Sequence, residues 1–326
     1  MLPFTNTGMT RSVEYGMKRT KKRKPADAII VSDLHITEST PISRTDDYIL
    51  AQENKLRFLR TLRMKNNDCP ILCSGDVFDY WKASPWLCSW AYHHLPHMIT
   101  IPGQHDLPMH SLAHFEKSAL SLLENVERVS VLKRNTPPFI TKTVMTVVGV
   151  PFGGLDSFEP PSLPPGGRVL LLHEMVWKKK PGWATNAWTS AELLERYGDY
   201  FDLIVTGDNH QSFTDKKKDC ILVNPGSMLR IDADQADFEP RCFLYYADEN
   251  EAVPVPFPIE ENVHSREHLD KKKERDERIA AFIERIKDDW DTGLSFRDNL
   301  KAFFAENKIP RKVREIIWLH LETEEM

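Results

Sequence analysis

An α/β fold with a small helical subdomain at its C-terminal end is predicted here by three features of the sequence. Short β-branched runs alternate with segments of helical period from Ala28 onward, those runs end in Gly, Pro, Asp or His, and after about residue 256 the composition turns to charged helix. A chain of 326 residues exceeds what a single core usually fills, roughly 250 to 300 residues, so one large and one small unit are expected. The divisions fall at 1–25, a basic leader expected to be flexible, at 26–256, the main domain, and at 257–326, the helical subdomain.

The elements follow in order. "AIIVSD" is a strand, and "DDYILAQENKLRFLRTLRMK" a helix with Ile49, Leu50, Leu56, Leu59 and Leu62 at helical intervals. "CPILCSGD" is a second strand, followed by an aromatic-rich segment with a helix after Pro85; "HMITIPG" is a third strand and "HSLAHFEKSALSLLE" a third helix. Ligand sites in such sheets lie beyond the carboxyl ends of the strands. The middle is strand-rich: "RVSVLKR", "PFITKTVMTVVGVPFG", "GRVLLLHE", "FDLIVTGD", "CILVNPGS" and "RCFLYYAD" carry β-branched or aromatic residues between turn formers. One helix is expected over "SAELLERYG", with Ser190 as N-cap, while "MVWKKKPGWATNAWT" has no period and reads as a loop. Beyond residue 256, Ile279, Phe282, Ile283, Ile286 and Trp290 form one apolar stripe, and "FRDNLKAFFAENK" and "PRKVREIIWLHLE" are two further helices, the second with Pro310 at its start. The stripe packs on its own subdomain or on a partner, self-packing being the commoner outcome.

Composition narrows the function classes. Five Cys without a C-x-x-C pair lie mostly in apolar stretches, which fits reduced thiols in a cytoplasmic protein and not a disulfide framework or thiolate zinc site. No apolar run reaches about 18 residues and no signal peptide is visible, so a cytoplasmic, non-membrane protein is expected. The net charge of -5 hides the basic run "KRTKKRK", either a phosphate-binding arm or, more commonly, a solvated leader. P-loop and G-x-G-x-x-G turns are missing.

Five apolar runs deliver acids and imidazoles at their carboxyl ends: Asp33 and His35; Asp76 and Asp79; Gln104, His105 and Asp106; His173 and Glu174; Asp208 and His210. Hard or borderline divalent ions take carboxylate oxygens and neutral imidazole nitrogens, and two ions about 3.5 to 4 Å apart need a shared oxygen ligand. On an extended backbone, residues two apart face the same side, so Asp33 with His35, and Asp208 with His210, are each expected to face a common centre.

The ordered set "DLH", "GDVFD", "GQHD", "LLHE" and "GDNH" resembles the calcineurin-like metallophosphoesterase superfamily, over roughly Ala28 to Ala247. The likeness implies a metallophosphoesterase-like mixed β-sandwich flanked by helices. Among subfamilies the chain is most similar to the SbcD-type DNA repair nucleases, through "QHDLPMH" and the appended small domain. Carried over by position, Asp33, His35 and His210 would hold a first metal, Asp76 would bridge, and Gln104, His173 and Asp208 would hold a second. His105 would be the catalytic acid or transition-state stabiliser, with Asp106 hydrogen-bonding its other ring nitrogen. Two departures fall on the second ion: the family pattern has Asn where this chain has Gln104 and His where it has Asp208. The charged oxygen should favour Mn²⁺ or Mg²⁺ there, and the site is expected to be weaker, differently selective or empty in isolation.

The resemblance implies divalent-metal-dependent phosphodiester hydrolysis by a metal-activated water, with two ions, Mn first and Mg as the alternative, and DNA as the leading substrate. Lys178, Lys179, Lys180 and His110 are the candidate substrate contacts, and Tyr80, Trp81, Trp86, Trp177, Trp183 and Trp188 could stack on bases or simply pack loops. The alternatives are a phosphatase or phosphodiesterase for small nucleotides or phosphoproteins, and a degenerate subunit that binds nucleic acid or an ATPase. An SbcC-like ATPase docked through the C-terminal helices and a homodimer are the partners it suggests. Asp79 is expected to cap a helix, Glu174 to cap or to pair with a cation, Asn224 to orient its turn, and His93, His94, His97 and His114 to be packing or surface groups.

Overall fold

The computed structural model describes residues 23–185, 187–231, 235–261, 263–265, 267, 273–280 and 296–324. The chain divides into two units. The larger takes the residues up to Thr37, Gln52–Leu229 and Glu239–Pro258; the smaller takes Glu38–Ala51, Arg230–Phe238 and Ile259 onward, so two internal segments join the C-terminal region.

The larger unit is a sandwich of two mixed sheets. In chain order its main strands are β1 (Ala28–Val31), β2 (Ile71–Cys73), β3 (Met98–Thr100), β4 (Val129–Val131), β5 (Phe139–Ile140), β6 (Thr146–Val150), β7 (Arg168–Leu172), β8 (Val176–Trp177), β9 (Trp188–Thr189), β10 (Leu203–Thr206), β11 (Phe213–Lys217), β12 (Cys220–Asn224), β13 (Arg241–Tyr246) and β14 (Glu251–Pro256). One sheet runs β14-β13-β1-β2-β3-β4 and the other β11-β12-β10-β7-β6-β5, with β8 and β9 a separate short pair. Strands β1 to β4 run parallel to one another, as do β6, β7, β10 and β12, while β13 is antiparallel to β1 and β14, β5 to β6 and β11 to β12.

Side-chain alternation builds two cores. Val169 and Leu171 of β7 join Ile30, Leu72, Ile99, Val205, Val223 and Phe243 between the sheets. Leu170 and Leu172 point the other way and pack on Leu193, Leu194 and Tyr197 of the helix Ser190–Tyr197. Helices Tyr48–Lys65, Pro85–His94 and Ala119–Asn125 also match runs of helical period. They are α1, α2 and α3, and Ser190–Tyr197 is α4.

Two expectations are corrected, and two strands are added to those expected. The cap of α4 is Thr189, not Ser190: Thr189 Oγ1 accepts from the Glu192 amide while Glu192 reaches back to the Thr189 amide, a closed capping box. The expected third helix is broken by Ser118, which caps α3 after a 3₁₀ segment, Leu112–Lys117. Strands β11 and β14 were not legible as strands, because both are sheet edges: β11 is polar, and β14 carries Pro254 and Pro256 where a missing N–H is tolerated.

In the smaller unit, α5 (Phe296–Glu306) and α6 (Arg311–Glu324) pack through Leu300, Phe304 and Ile317, with Phe303, Ile309 and Trp318 around them. Of the apolar stripe, Ile279 lies in a helical stretch at 273–280, whereas Phe282, Ile283, Ile286 and Trp290 fall outside the described residues. Most of the basic leader falls outside them too. At its described end Arg23 pairs with Glu249 and Glu251, and Lys24 with Asp248, so these two cations are already matched within the chain. Among the described residues no helix is long and apolar enough to cross a membrane.

Candidate metal centre

The loops leaving β1, β2, β3, β7 and β10 converge. Asp33, His35 and His210 bring ligand atoms within 4.8 Å of one another, as do Asp33, Asp76 and His173. Asp76 Oδ2 stands between the two groups, 3.8 Å from His35 Nε2 and 3.3 Å from His173 Nε2. Hydrogen bonds between the two sheets' loops hold the arrangement: Ser74 Oγ donates to the Thr206 carbonyl at 2.8 Å, His173 Nδ1 meets the Ser74 carbonyl at 2.5 Å, and the Asp208 amide donates to Asp33 Oδ1 at 3.0 Å. With Nδ1 committed to a carbonyl, His173 turns Nε2 toward Asp76.

Strand alternation does not produce this convergence. Strand β1 ends at Val31, and Asp33 (φ 50°), His35 (φ 44°), Asp76 (φ 50°) and Asp208 (φ 71°) all adopt the left-handed conformation, in which Asp and His are enriched among non-glycine residues. Asp208 and His210 do not fall in one cluster of close donor atoms. His210 joins Asp33 and His35, whereas Asp208 joins none of these groups and accepts instead from the Gln104 amide. Gly75 (φ 102°) permits the tight turn before Asp76, where a Cβ would lie 2.5 Å from His173 Nδ1.

Electrostatics follow from burial against charge. Burial opposes an imidazolium at His35, but the carboxylates of Asp79, Asp76 and Asp33 outweigh it and raise its pKa to about 9. At His173 burial is likewise overcome, here by Asp76, Asp33 and Asp208, and the pKa rises to about 10. Burial would raise Asp76, yet His173, His35 and His105 hold it well below the usual carboxylate range. The site favours positive charge among its acids. Among the described residues Asp33 Oδ2 and Gln104 Oε1 are buried without a hydrogen-bond partner, each a cost of about 1–3 kcal/mol when left so, while Asp76 Oδ2 and His173 Nε2 face each other at 3.3 Å. Carboxylate and amide oxygens with imidazole nitrogens are the donors that borderline and hard divalent ions take, so the residues fit one or two such ions.

Beside this set lies a third group, His35, Asp79 and His105. His105 Nδ1 donates to the Asp79 carbonyl at 2.7 Å, its amide donates to Asp76 Oδ1 at 2.9 Å, and its ring meets His35 edge-on at 4.9 Å. Asp106 is therefore not the partner of the His105 ring. Its fully buried carboxylate accepts from the amides of Val77, Phe78 and Gly103 and so ties the second motif to the third. Burial and the neighbouring Asp76 push Asp106 up to about 7, against those three donors. Asp79 is not the cap of α2, a place taken by Ser84; its carboxylate lies 3.3 Å from His35 Nδ1. The signal for Asp79 was present in "GDVFD", three residues after Asp76.

The remaining candidates separate. Lys178 donates to the Thr214 carbonyl, and Lys180 to the Thr185 and Ala187 carbonyls, so both staple loops; Lys179 is exposed and makes no such bond among the described residues. His110 is exposed, with Nδ1 3.1 Å from the Gln104 carbonyl. Asn224 does more than orient its turn: it donates to the Asn209 and Gln211 carbonyls and accepts from Thr206, bracing the loop that carries His210. Asn209, missed in the sequence, is buried and braces the same loop by donating to the Val176 carbonyl. Burial, with Asp208 and Asp156 opposing the favourable charge of His173, pushes Glu174 up to about 7. His94 stacks on Trp90 at 4.6 Å, a packing role.

A model of the calcineurin-like phosphoesterase family matches residues 28–212, more than half of the chain and all five convergent loops. The chain belongs to the calcineurin-like phosphoesterase family. Among solved structures, this phosphoesterase is similar to an archaeal phosphodiesterase, at 11% identity over 70% of this chain and 98% of the other, with a TM-score of 0.39. It is similar to a phosphopantetheinyl hydrolase from Mycobacterium tuberculosis, at 15% identity over 71% of this chain and 96% of the other, with a TM-score of 0.44. A calcineurin-like phosphoesterase from Bacillus subtilis is 11% identical over 61% of this chain and 80% of its own, with a TM-score of 0.35. No curated protein matches the chain by sequence. The family and the converging donors together make this a metal-dependent phosphoesterase architecture.

Proposed function

We propose that this phosphoesterase hydrolyses phosphodiesters of DNA. The observation that carries hydrolysis is the pair of donor groups joined through Asp33 and Asp76. On this reading Asp33, His35 and His210 hold one ion, His173 and Gln104 serve the other, and Asp76 lies between. Bound divalent ions, Mn²⁺ first and Mg²⁺ the alternative, would lower the pKa of water and neutralise charge on the phosphoryl oxygens. His105, whose Nδ1–H is committed to the Asp79 carbonyl, would use Nε2 to donate to the leaving oxygen.

A polymeric substrate is supported by exposed aromatic faces in the loops. Tyr80, which directly follows Asp79, is 58% exposed, and Trp183 is 76% exposed and edge-on to Trp177. Such faces stack on bases without regard to sequence, while Lys179 and His110 are placed in exposed loops suited to phosphate oxygens. The same reading makes an SbcC-like ATPase the partner, a pairing that co-purification of the two chains tests.

The deciding assay incubates the protein with Mn²⁺, Mg²⁺ or chelator on labelled linear and circular DNA and on an aryl phosphodiester, alongside Asp76→Ala. DNA cleavage that needs both metal and Asp76 is the expected result. Turnover of the aryl compound or of free nucleotides alone points to a small-molecule phosphodiesterase instead. Binding of DNA with no turnover in any metal points to a degenerate subunit.

A further inference from the structure

We propose that Asp208 is a positioning residue for the second ion: its carboxylate holds the Gln104 amide so that the side-chain carbonyl, and not the amino group, faces His173 and Asp76. The inference rests on the two-ion reading above. Four observations carry it. Gln104 Nε2 donates to Asp208 Oδ1, whereas Gln104 Oε1 is buried without a partner among the described residues. A carboxylate oxygen accepts, and of the amide's two ends only the NH₂ donates, so that end meets Asp208 and the oxygen is left to another partner. Asp208 itself has a fixed place: its amide donates to Asp33 Oδ1 at 3.0 Å, and a Cβ on the preceding Gly207 would lie 2.8 Å from His173 Nδ1. Finally, Asp208 stands outside the close group of Asp33, Asp76 and His173, as a residue acting through another would.

A flexible Gln side chain has several rotamers and two nearly equivalent ends, so on its own it would meet an ion with its oxygen only part of the time. Asp208 removes that choice. The substitution pair of Gln104 and Asp208 is on this view one device: the longer amide is usable because a carboxylate beside it selects its orientation.

Mn²⁺ uptake, followed by electron paramagnetic resonance and by elemental analysis after gel filtration, tests the assignment without recourse to activity. The proteins are wild type, Asp208→Ala, Asp208→Asn, Gln104→Ala and the double Ala variant. Losing a partner that orients a metal ligand typically costs about 10- to 100-fold in affinity, so Asp208→Ala should weaken the second ion by that factor and leave the first unchanged. Asp208→Asn keeps an acceptor oxygen in place and should recover most of the loss. The double variant should bind the second ion no more weakly than Gln104→Ala alone, because the carboxylate has nothing left to orient. Further weakening in the double variant would make Asp208 a ligand in its own right and overturn the proposal. An unchanged second ion in Asp208→Ala, or no recovery in Asp208→Asn, also overturns it. Wild type that takes up a single ion sinks the two-ion reading and this inference with it, an outcome separate from the others.

Discussion

The Nε2 atoms of His35 and His210 face each other at 3.1 Å, with Asp33 completing the group. Two neutral imidazoles can share one hydrogen at that distance, but two imidazolium rings would repel, and burial with His35 nearby lowers the pKa of His210. A cation between them satisfies both lone pairs. His210→Ala should therefore lower Mn²⁺ uptake by about one ion per chain while the fold, read by circular dichroism, is kept; unchanged uptake would remove His210 from the centre.

His105 should separate from the ligands. Its ring is anchored on the Asp79 carbonyl and its Nε2 is not part of the Asp33, Asp76 and His173 group. His105→Ala is expected to retain Mn²⁺ and to lose about 10²- to 10⁴-fold in turnover, the usual contribution of a positioned acid or base. Joint loss of metal and activity would make it structural.

Asp106 should matter to stability more than to chemistry. Its carboxylate collects the amides of Val77, Phe78 and Gly103 in a fully buried place. Asp106→Ala leaves those donors unpaired at about 1–3 kcal/mol each, so urea unfolding should report a loss of about 3 kcal/mol or more. Asp106→Asn, which keeps one acceptor oxygen, should lose less. Equal stability in all three proteins would contradict the clamp.

Metal binding should release protons and tighten with pH. His35 and His173 are raised to about 9 and about 10, so without metal both hold protons at pH 7, while a ligand imidazole must be neutral. Calorimetry in buffers of different ionisation enthalpy should show net proton release on Mn²⁺ binding at pH 7, and affinity should rise toward pH 9. The metal-free protein has the opposite trend: raised folded-state values favour folding below the unfolded value of about 6.5, and that contribution is lost as pH climbs through 9 and 10. A melting temperature independent of pH from 6 to 10 without metal would count against it.

The main strands and the convergent motifs were legible because a buried strand in this fold is a short β-branched run, and each ends in residues that nothing in a core would call for. "IIVSD", "ILCSGD" and "VLLLHE" needed no partner to be recognised. Edge strands β11 and β14 were not, since an edge is polar on one face and free to carry proline. Asp79 and Asp106 were assigned the wrong partners for a related reason. Adjacency in sequence suggested that Asp106 would serve His105, but neighbouring residues in a turn diverge, and Asp106 points back to amides nearly thirty positions away.

By itself the sequence determined which chemical groups are available and which strand ends deliver them, because residue type and hydrophobic pattern are local properties. Only the tertiary structure decided that Asp33, Asp76 and His173 meet while Asp208 turns to Gln104. Those choices are made by left-handed loop residues and by hydrogen bonds joining the two sheets, and the energy of each depends on groups that have no fixed distance until the chain has folded.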